Sequence, residues 1–189
     1  GFFQAAALRM FFTLPLAWLA CRWFGVRLPQ NAAARWTYLI GGMNLFVAMG
    51  LTYLGAQHVN SGLIAVLYGT GPLLTGLFSV LWLRQHFRWQ HWAGLALALC
   101  GLIEIHQRAF RGDMLFLYGA LIVLAGAASQ AMTSVWIKRL DAAVPPLALT
   151  LGSLLVAVPL YALSWWLGDW SWPQQWPLRA SLSLAYMVV

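Results

Sequence analysis

Of the 189 residues, 62% are apolar and 8% charged, 11 Lys and Arg against 4 Asp and Glu. Soluble domains carry about 25% charged residues, so a water-facing surface cannot be built here. Twelve Trp argue equally against disorder, which goes with few aromatics and much charge. The mean hydropathy of +0.74 agrees: the solvent for this chain is lipid.

A membrane-crossing helix needs about 20 mainly apolar residues, and the gaps between charges mark where such helices fit. The first span covers residues 5–24, flanked by Arg9 and Arg22. Residues 36–83 hold no Asp, Glu, Lys or Arg, which leaves room for a second and third span joined by a tight turn. The fourth, from Trp89 to Ile103, becomes full length if Glu104 to His106 sit at the interface. Residues 114–137 and 142–168 form the fifth and sixth. A seventh opens at Leu178 and is cut at Val189; with Gly1 rather than Met at the start, the expectation is a piece lacking both ends.

The predicted fold is therefore all-α, a polytopic transmembrane helix bundle. A signal peptide would place one short apolar stretch after a basic start, whereas hydrophobicity here recurs along the whole length. Transmembrane strands alternate over about 10 residues, and ALIVLAGAAS (120–129) shows no such period. The net charge of +7 is scattered between spans and makes no basic stripe, which argues against nucleic acid. Cys21 and Cys100 have no metal or redox spacing and read as buried apolar thiols.

One face of the bundle collects Arg22, Arg27, Arg35, Arg84, Arg88, Lys138 and Arg139; the other has Arg108 and Arg111, with Arg9 and Arg179 at helix ends. The positive-inside rule makes the richer face cytoplasmic. Trp165, Trp166, Trp170, Trp172 and Trp176 then form an outer aromatic belt. A faint internal repeat relates Pro15-Leu16, Leu19 and Gly25 to Pro159-Leu160, Leu163 and Gly168 with one residue of slip. An offset of five helices inverts the second copy, as in many secondary transporters.

The third span carries LYGTGPLLTG, from Leu67 to Gly76. Pro72 has no N–H and leaves the Tyr68 carbonyl without its helical partner, and Gly69 and Gly71 loosen the same turn. Ser61, Ala65, Tyr68, Pro72, Thr75 and Ser79 share one face at 3.6-residue spacing. That face is either a kink packed on a neighbour or the lining of a wet cavity. In the second span Asn44 shares a stripe with Gly41, Ala48 and Thr52, and its amide serves as helix glue or as a solute contact. The fifth span offers Gln130, Thr133 and Ser134 beside Gly119 and Gly126. The sixth offers Thr150, Ser153, Ala157, Tyr161 and Ser164. Single hydroxyls usually bond within their own helix, but a weakly polar stripe on several spans suggests a shared hydrated interior. Gly94, Ala98 and Gly101 of the fourth span read as a close-packing stripe. Glu104 and the four His residues fall at helix ends, and no pair has metal spacing.

The chain resembles the EamA-type drug/metabolite transporter superfamily. LRMFFTLPLAWL (8–19), Asn44 with TYLGAQHVNSGLIAVLYGTGPLLTGLFS (52–79), WAGLALALCGLIE (92–104) and DMLFLYGALIVLAGAASQAMTSVWIKRL (113–140) carry the resemblance. It implies ten helices in two inverted five-helix repeats, with residues 1–110 covering helices two to five and residues 111–189 helices six to eight. It also implies a central cavity lined by Asn44, Tyr68, Thr70 and Thr75. Where the family commonly has Leu-Gly-Glu after its fourth helix, this chain reads Leu83-Arg84-Gln85, so no role transfers through that acid. The expected function is alternating-access transport, outward, of a small metabolite or drug, with Gln130, Ser134, Thr150 and Ser153 completing the pathway and Gly69, Gly71 and Pro72 as its hinge. The expected partners are a small-molecule substrate, the lipid bilayer and a second copy of the chain, without cofactor, metal or nucleic acid, in a bacterial inner membrane. The alternatives are a non-transporting membrane fragment or scaffold and, against the scattered Glu104, Asp113, Asp141 and Asp169, a membrane-embedded enzyme.

Overall fold

The computed structural model describes residues 2–83, 89–106, 114–140 and 142–167. Seven helices follow in order: α1 (Phe2–Trp23), α2 (Ala32–Ala56), α3 (Ser61–Gly69), α4 (Gly71–Leu83), α5 (Trp89–His106), α6 (Met114–Leu140) and α7 (Pro146–Leu167). No strand occurs among the described residues, as the composition predicts. Among the described residues four spans are long and apolar enough to cross a membrane: α2, α3 with α4 as one span (Ser61–Leu83), α6 and α7. Helices α1 and α5 occupy the first and fourth spans read from the sequence; the seventh, from Leu178, lies outside the described residues.

Local chemistry sets the ends. Asn31 accepts the Ala34 N–H at 2.8 Å and Asn60 the Leu63 N–H at 2.8 Å, each satisfying one of the donors a helix start leaves open. Helix α1 stops at Gly25, which takes a φ of +65°. There the Val26 N–H reaches Cys21 O at 2.9 Å and the Gly25 N–H reaches Arg22 O at 3.3 Å, the reciprocal pair of a Schellman cap. Helix α7 starts with Pro146 in its first position, where a missing N–H costs nothing.

Packing divides the chain into two compact units, residues 1–46 with 142–189 and residues 47–141. Helix α2 is continuous and contributes residues 32–46 to the first and 47–56 to the second. These units group helices by contact, whereas the repeats expected on either side of residue 110 are units of sequence, so the repeat division stays an expectation.

In the first unit α1 packs along α7, and the Cys21 thiol donates to Leu147 O at 3.6 Å. Cys21 is buried, as its apolar setting predicts, but Cys100 is exposed on α5. The start of α2 crosses α7 closely. A Cβ on Gly42 would stand 2.5 Å from Val156 Cβ and 2.6 Å from Ser153 O, and one on Gly152 would run into the Tyr38 ring. Ala34, Thr37, Ala148, Ala157 and Tyr161 are buried here.

In the second unit the end of α2 crosses α6 in the same manner. A Cβ on Gly55 would meet Val123 at 2.5 Å and Gly119 O at 2.6 Å, and one on Gly126 would meet Ala48 O at 3.1 Å. Small residues at both crossings let the backbones approach and gain van der Waals contact, the main attraction between helices in lipid. A cluster of Val59, Leu63, Leu67, Phe116, Ala120 and Val123 joins α3 to α6. Helix α4 also lies along α6, with Phe78 stacked on Trp82 at 5.4 Å and Trp82 tilted against Trp136 at 6.1 Å.

The remaining surface is apolar. Phe11, Phe12, Trp18, Leu54, Leu81, Leu97, Leu121, Leu155 and Leu163 are all exposed. Helices apolar all round belong in lipid, and the chain is an integral, multi-pass membrane protein.

Candidate substrate-pathway site

The interruption between α3 and α4 is the most distinctive local feature. Thr70 sits between the two helices with φ −77° and ψ −6°, and its N–H bonds to Leu67 O at 3.1 Å. The N–H groups of Leu73 and Leu74 both reach Thr70 O at 3.0 Å, so a new helix starts at once. Pro72 is thereby the second residue of α4, in the first turn, where proline is tolerated. It opens a helix rather than bending one. The Tyr68 carbonyl, which Pro72 cannot serve, is reached by the cap's backbone N–H. Satisfaction is therefore local and needs no neighbouring helix. Gly69 and Gly71 do not adopt positive φ, and nothing lies within 4 Å of where their Cβ atoms would stand. Their place in the joint is open space, with Gly69 and Pro72 exposed.

Three hydroxyls lie along this stretch and a fourth reaches it from α2. Thr70 is buried and donates to Leu67 O at 2.6 Å; Thr75 donates to Gly71 O at 2.8 Å. Thr52, from α2, donates to Ala48 O at 2.7 Å. Tyr68 Oη lies 2.5 Å from Thr52 Oγ1. A threonine hydroxyl has one proton, and that of Thr52 is committed to Ala48, so Tyr68 donates and Thr52 accepts. Tyr68 is half-buried, its ring against the Leu63–Phe116 cluster. The structure thus joins Tyr68 to Thr52, which the sequence had placed only as a member of the Asn44 stripe, while Thr70 and Thr75 bond within their own turns.

Asn44 is half-buried on α2 and belongs to the first unit. Ser153 is buried on α7 at the crossing with α2, where a Cβ on Gly41 would run into its Oγ. Thr150 is exposed and bonds to Pro146 O at 3.0 Å. On α6, Gln130 and Ser134 are exposed, and Ser134 bonds to Gln130 O at 2.9 Å. They lie off the buried stripe of Gly119, Val123, Gly126, Ala127, Ala131 and Val135. The sixth-span stripe is likewise mostly packing. Ala157 and Tyr161 are buried, and the Tyr161 hydroxyl donates to Leu45 O at 3.2 Å.

Gly94 and Gly101 are exposed, and nothing lies within 4 Å of where a Cβ on either would stand, so among the described residues no helix closes on them; the Ala98 side chain lies outside the described set. The close-approach glycines are instead Gly41, Gly42 and Gly152 in one unit and Gly55, Gly119 and Gly126 in the other. Glu104 is exposed at the end of α5. Arg84, Gln85, Arg88, Arg108, Arg111, Trp170, Trp172, Trp176 and Arg179 lie outside the described residues. No group of three His, Cys, Asp or Glu gathers among the described residues.

The EamA-like transporter family matches residues 1–105. The uncharacterized inner membrane transporter YedA of Escherichia coli K12 is 33% identical over 158 residues, covering 82% of this chain and 50% of that protein. The uncharacterized transporter YvbV of Bacillus subtilis 168 is 29% identical over 127 residues, 64% of this chain and 41% of the relative. The chain spans about half the length, or less, of these curated relatives. No solved structure matches it. With more than half of its residues matched and four spans among the described residues long and apolar enough to cross a membrane, the chain belongs to the EamA-like transporter family.

Proposed function

We propose that the protein is part of a secondary transporter that moves a small metabolite or drug across a bacterial inner membrane, outward, by alternating access. The basic face with Arg22, Arg27, Arg35, Lys138 and Arg139 is cytoplasmic in this reading. The pathway passes the α3–α4 joint, with Tyr68, Thr70 and Thr75 as polar contacts and Gly69, Gly71 and Pro72 as the point of flexure. Asn44 supplies an amide contact. Gln130, Ser134, Thr150 and Ser153 are weaker members, since each is either exposed or packed in a helix crossing.

The observation that carries the reading is the joint itself, in a chain whose family is one of transporters. Discontinuous helices mark solute sites in many carriers, and this break interrupts a span while its carbonyls are met within their own turn. Here the break falls at the tenth residue of a 23-residue span, near mid-membrane, with open space at Gly69 and Gly71. A second copy of the chain has no supporting feature, because lipid covers the exposed apolar surface equally well.

The test is solute flux in vesicles holding the full-length protein, with solutes first chosen by growth protection of an overproducing strain against toxic amino acids, nucleobases and drugs. Asn44→Ala and Tyr68→Phe should each lower flux about tenfold. Wild-type rates in both variants would remove these residues from the pathway.

A further inference from the structure

The protons at the joint are all spoken for. Thr52 gives its proton to Ala48 O, Thr70 to Leu67 O and Thr75 to Gly71 O, and Tyr68 gives its own to Thr52. A hydroxyl has one donor and two acceptor lone pairs, so each of these oxygens can offer a further partner only lone pairs. No Lys or Arg occurs between Arg35, in the first turn of α2, and Arg84, so no cation lies on α3, on α4 or on the part of α2 that carries Thr52. Of the four, Thr70 is buried and Thr52 and Thr75 are held against carbonyls of their own helices, whereas the half-buried Tyr68 carries its hydroxyl beyond its own helix on a long side chain.

We propose that the Tyr68 hydroxyl is a specificity-determining acceptor that selects solutes carrying an N–H or O–H donor, a primary ammonium foremost, and rejects carboxylates. This deepens the transporter reading above and rests on it for its role in transport. The Thr52 hydroxyl is a positioning group: by taking the Tyr68 proton it fixes which way the phenol points its hydrogen. A carboxylate at this place would meet the lone pairs of these hydroxyl oxygens, with no Lys or Arg on α3 or α4 to offset them. A quaternary ammonium would bring charge without a donor.

Three probes share one apolar body and separate these cases: 2-phenylethylamine, its N,N,N-trimethyl derivative and 3-phenylpropanoate. Binding is read on the full-length protein in detergent by the shift in unfolding temperature and by Trp quenching, and flux is read separately in vesicles. A hydrogen bond to a charged donor is worth about one to two decades in affinity. Wild-type protein should therefore bind the primary amine about tenfold or more tighter than the trimethyl compound, and the carboxylate weakest. Tyr68→Phe should bring the two ammonium probes within about twofold of one another. Thr52→Val keeps the shape but frees the phenol proton to turn outward, so affinity for 3-phenylpropanoate should rise.

Equal binding of the two ammonium probes by wild-type protein overturns the inference, as does a preference that survives Tyr68→Phe, or a carboxylate bound no better by Thr52→Val. Differential binding that Tyr68→Phe abolishes, without flux of any probe, upholds the acceptor and overturns transport as its purpose. Flux of all three at equal rates does the reverse.

Discussion

Two tyrosines hydrogen-bond to α2, one in each compact unit, and their surroundings differ. Tyr161 donates to the backbone carbonyl of Leu45, has 0% of its surface exposed, and sets its ring edge-on to Phe46 at 5.0 Å. Tyr68 donates to a side chain, Thr52, stays half-buried, and adjoins an interrupted helix. A backbone carbonyl can only accept, whereas the Thr52 hydroxyl accepts from Tyr68 while giving its own proton to Ala48 O. The first tyrosine ties two regular helices in a sealed crossing, and the second ties α3 to α2 beside a break in the backbone. Polar atoms inside a membrane helix serve both ends, and what separates them is whether the neighbouring backbone is regular and closed.

That contrast can be broken by mutation. The largest expected effect is Tyr161→Ala, which empties a sealed site; core aromatic truncations cost about 3–5 kcal/mol, read as a fall in unfolding temperature in detergent, with Tyr161→Phe costing about 1 kcal/mol. Should Tyr161→Ala be tolerated, the first crossing is looser than its geometry indicates. Next comes Gly55→Leu, which forces a side chain onto Val123 and the Gly119 carbonyl. Overpacking of this kind costs about 1–3 kcal/mol, measured by the same unfolding shift and by loss of the monodisperse peak in size exclusion. The smallest effect is expected for Gly94→Leu: with open space at the Cβ position, stability should change by no more than about 0.5 kcal/mol. A larger loss would mean that a neighbour does close on α5, as its Gly94–Ala98–Gly101 spacing led one to expect.

The charge gaps alone were enough to locate the described helices, because a charged residue in lipid is costly enough to make its absence informative. Residues 36–83 resolve into α2 and the α3–α4 span without a charge between them, and Asn60 marks the turn with its cap. Pro72 with Gly69 and Gly71 also announced trouble in the third span. What could not be read was its form, a clean stop at Thr70 and a fresh start at Gly71 rather than a bend in one helix. Which faces touch was also hidden. In water, polarity sorts the outside of a helix from the inside. In lipid both are apolar, so Gly94 and Gly101 looked as suited to packing as Gly55 and Gly119. Only the actual crossings tell them apart. The hydroxyls suffered the same ambiguity: Ser153 is buried at a crossing and Thr150 is exposed, although the two sit three residues apart on α7.

The stop at Thr70 bears on how this span enters the bilayer. Helix α3 has 9 residues and α4 has 13, which at 1.5 Å per residue reach about 14 Å and about 20 Å. Neither bridges a hydrocarbon layer of about 30 Å, so insertion must treat the two as a single hydrophobic unit. Because Thr70 closes its hydrogen bonds within its own turn, that unit can be threaded into lipid before α6 arrives to shelter it.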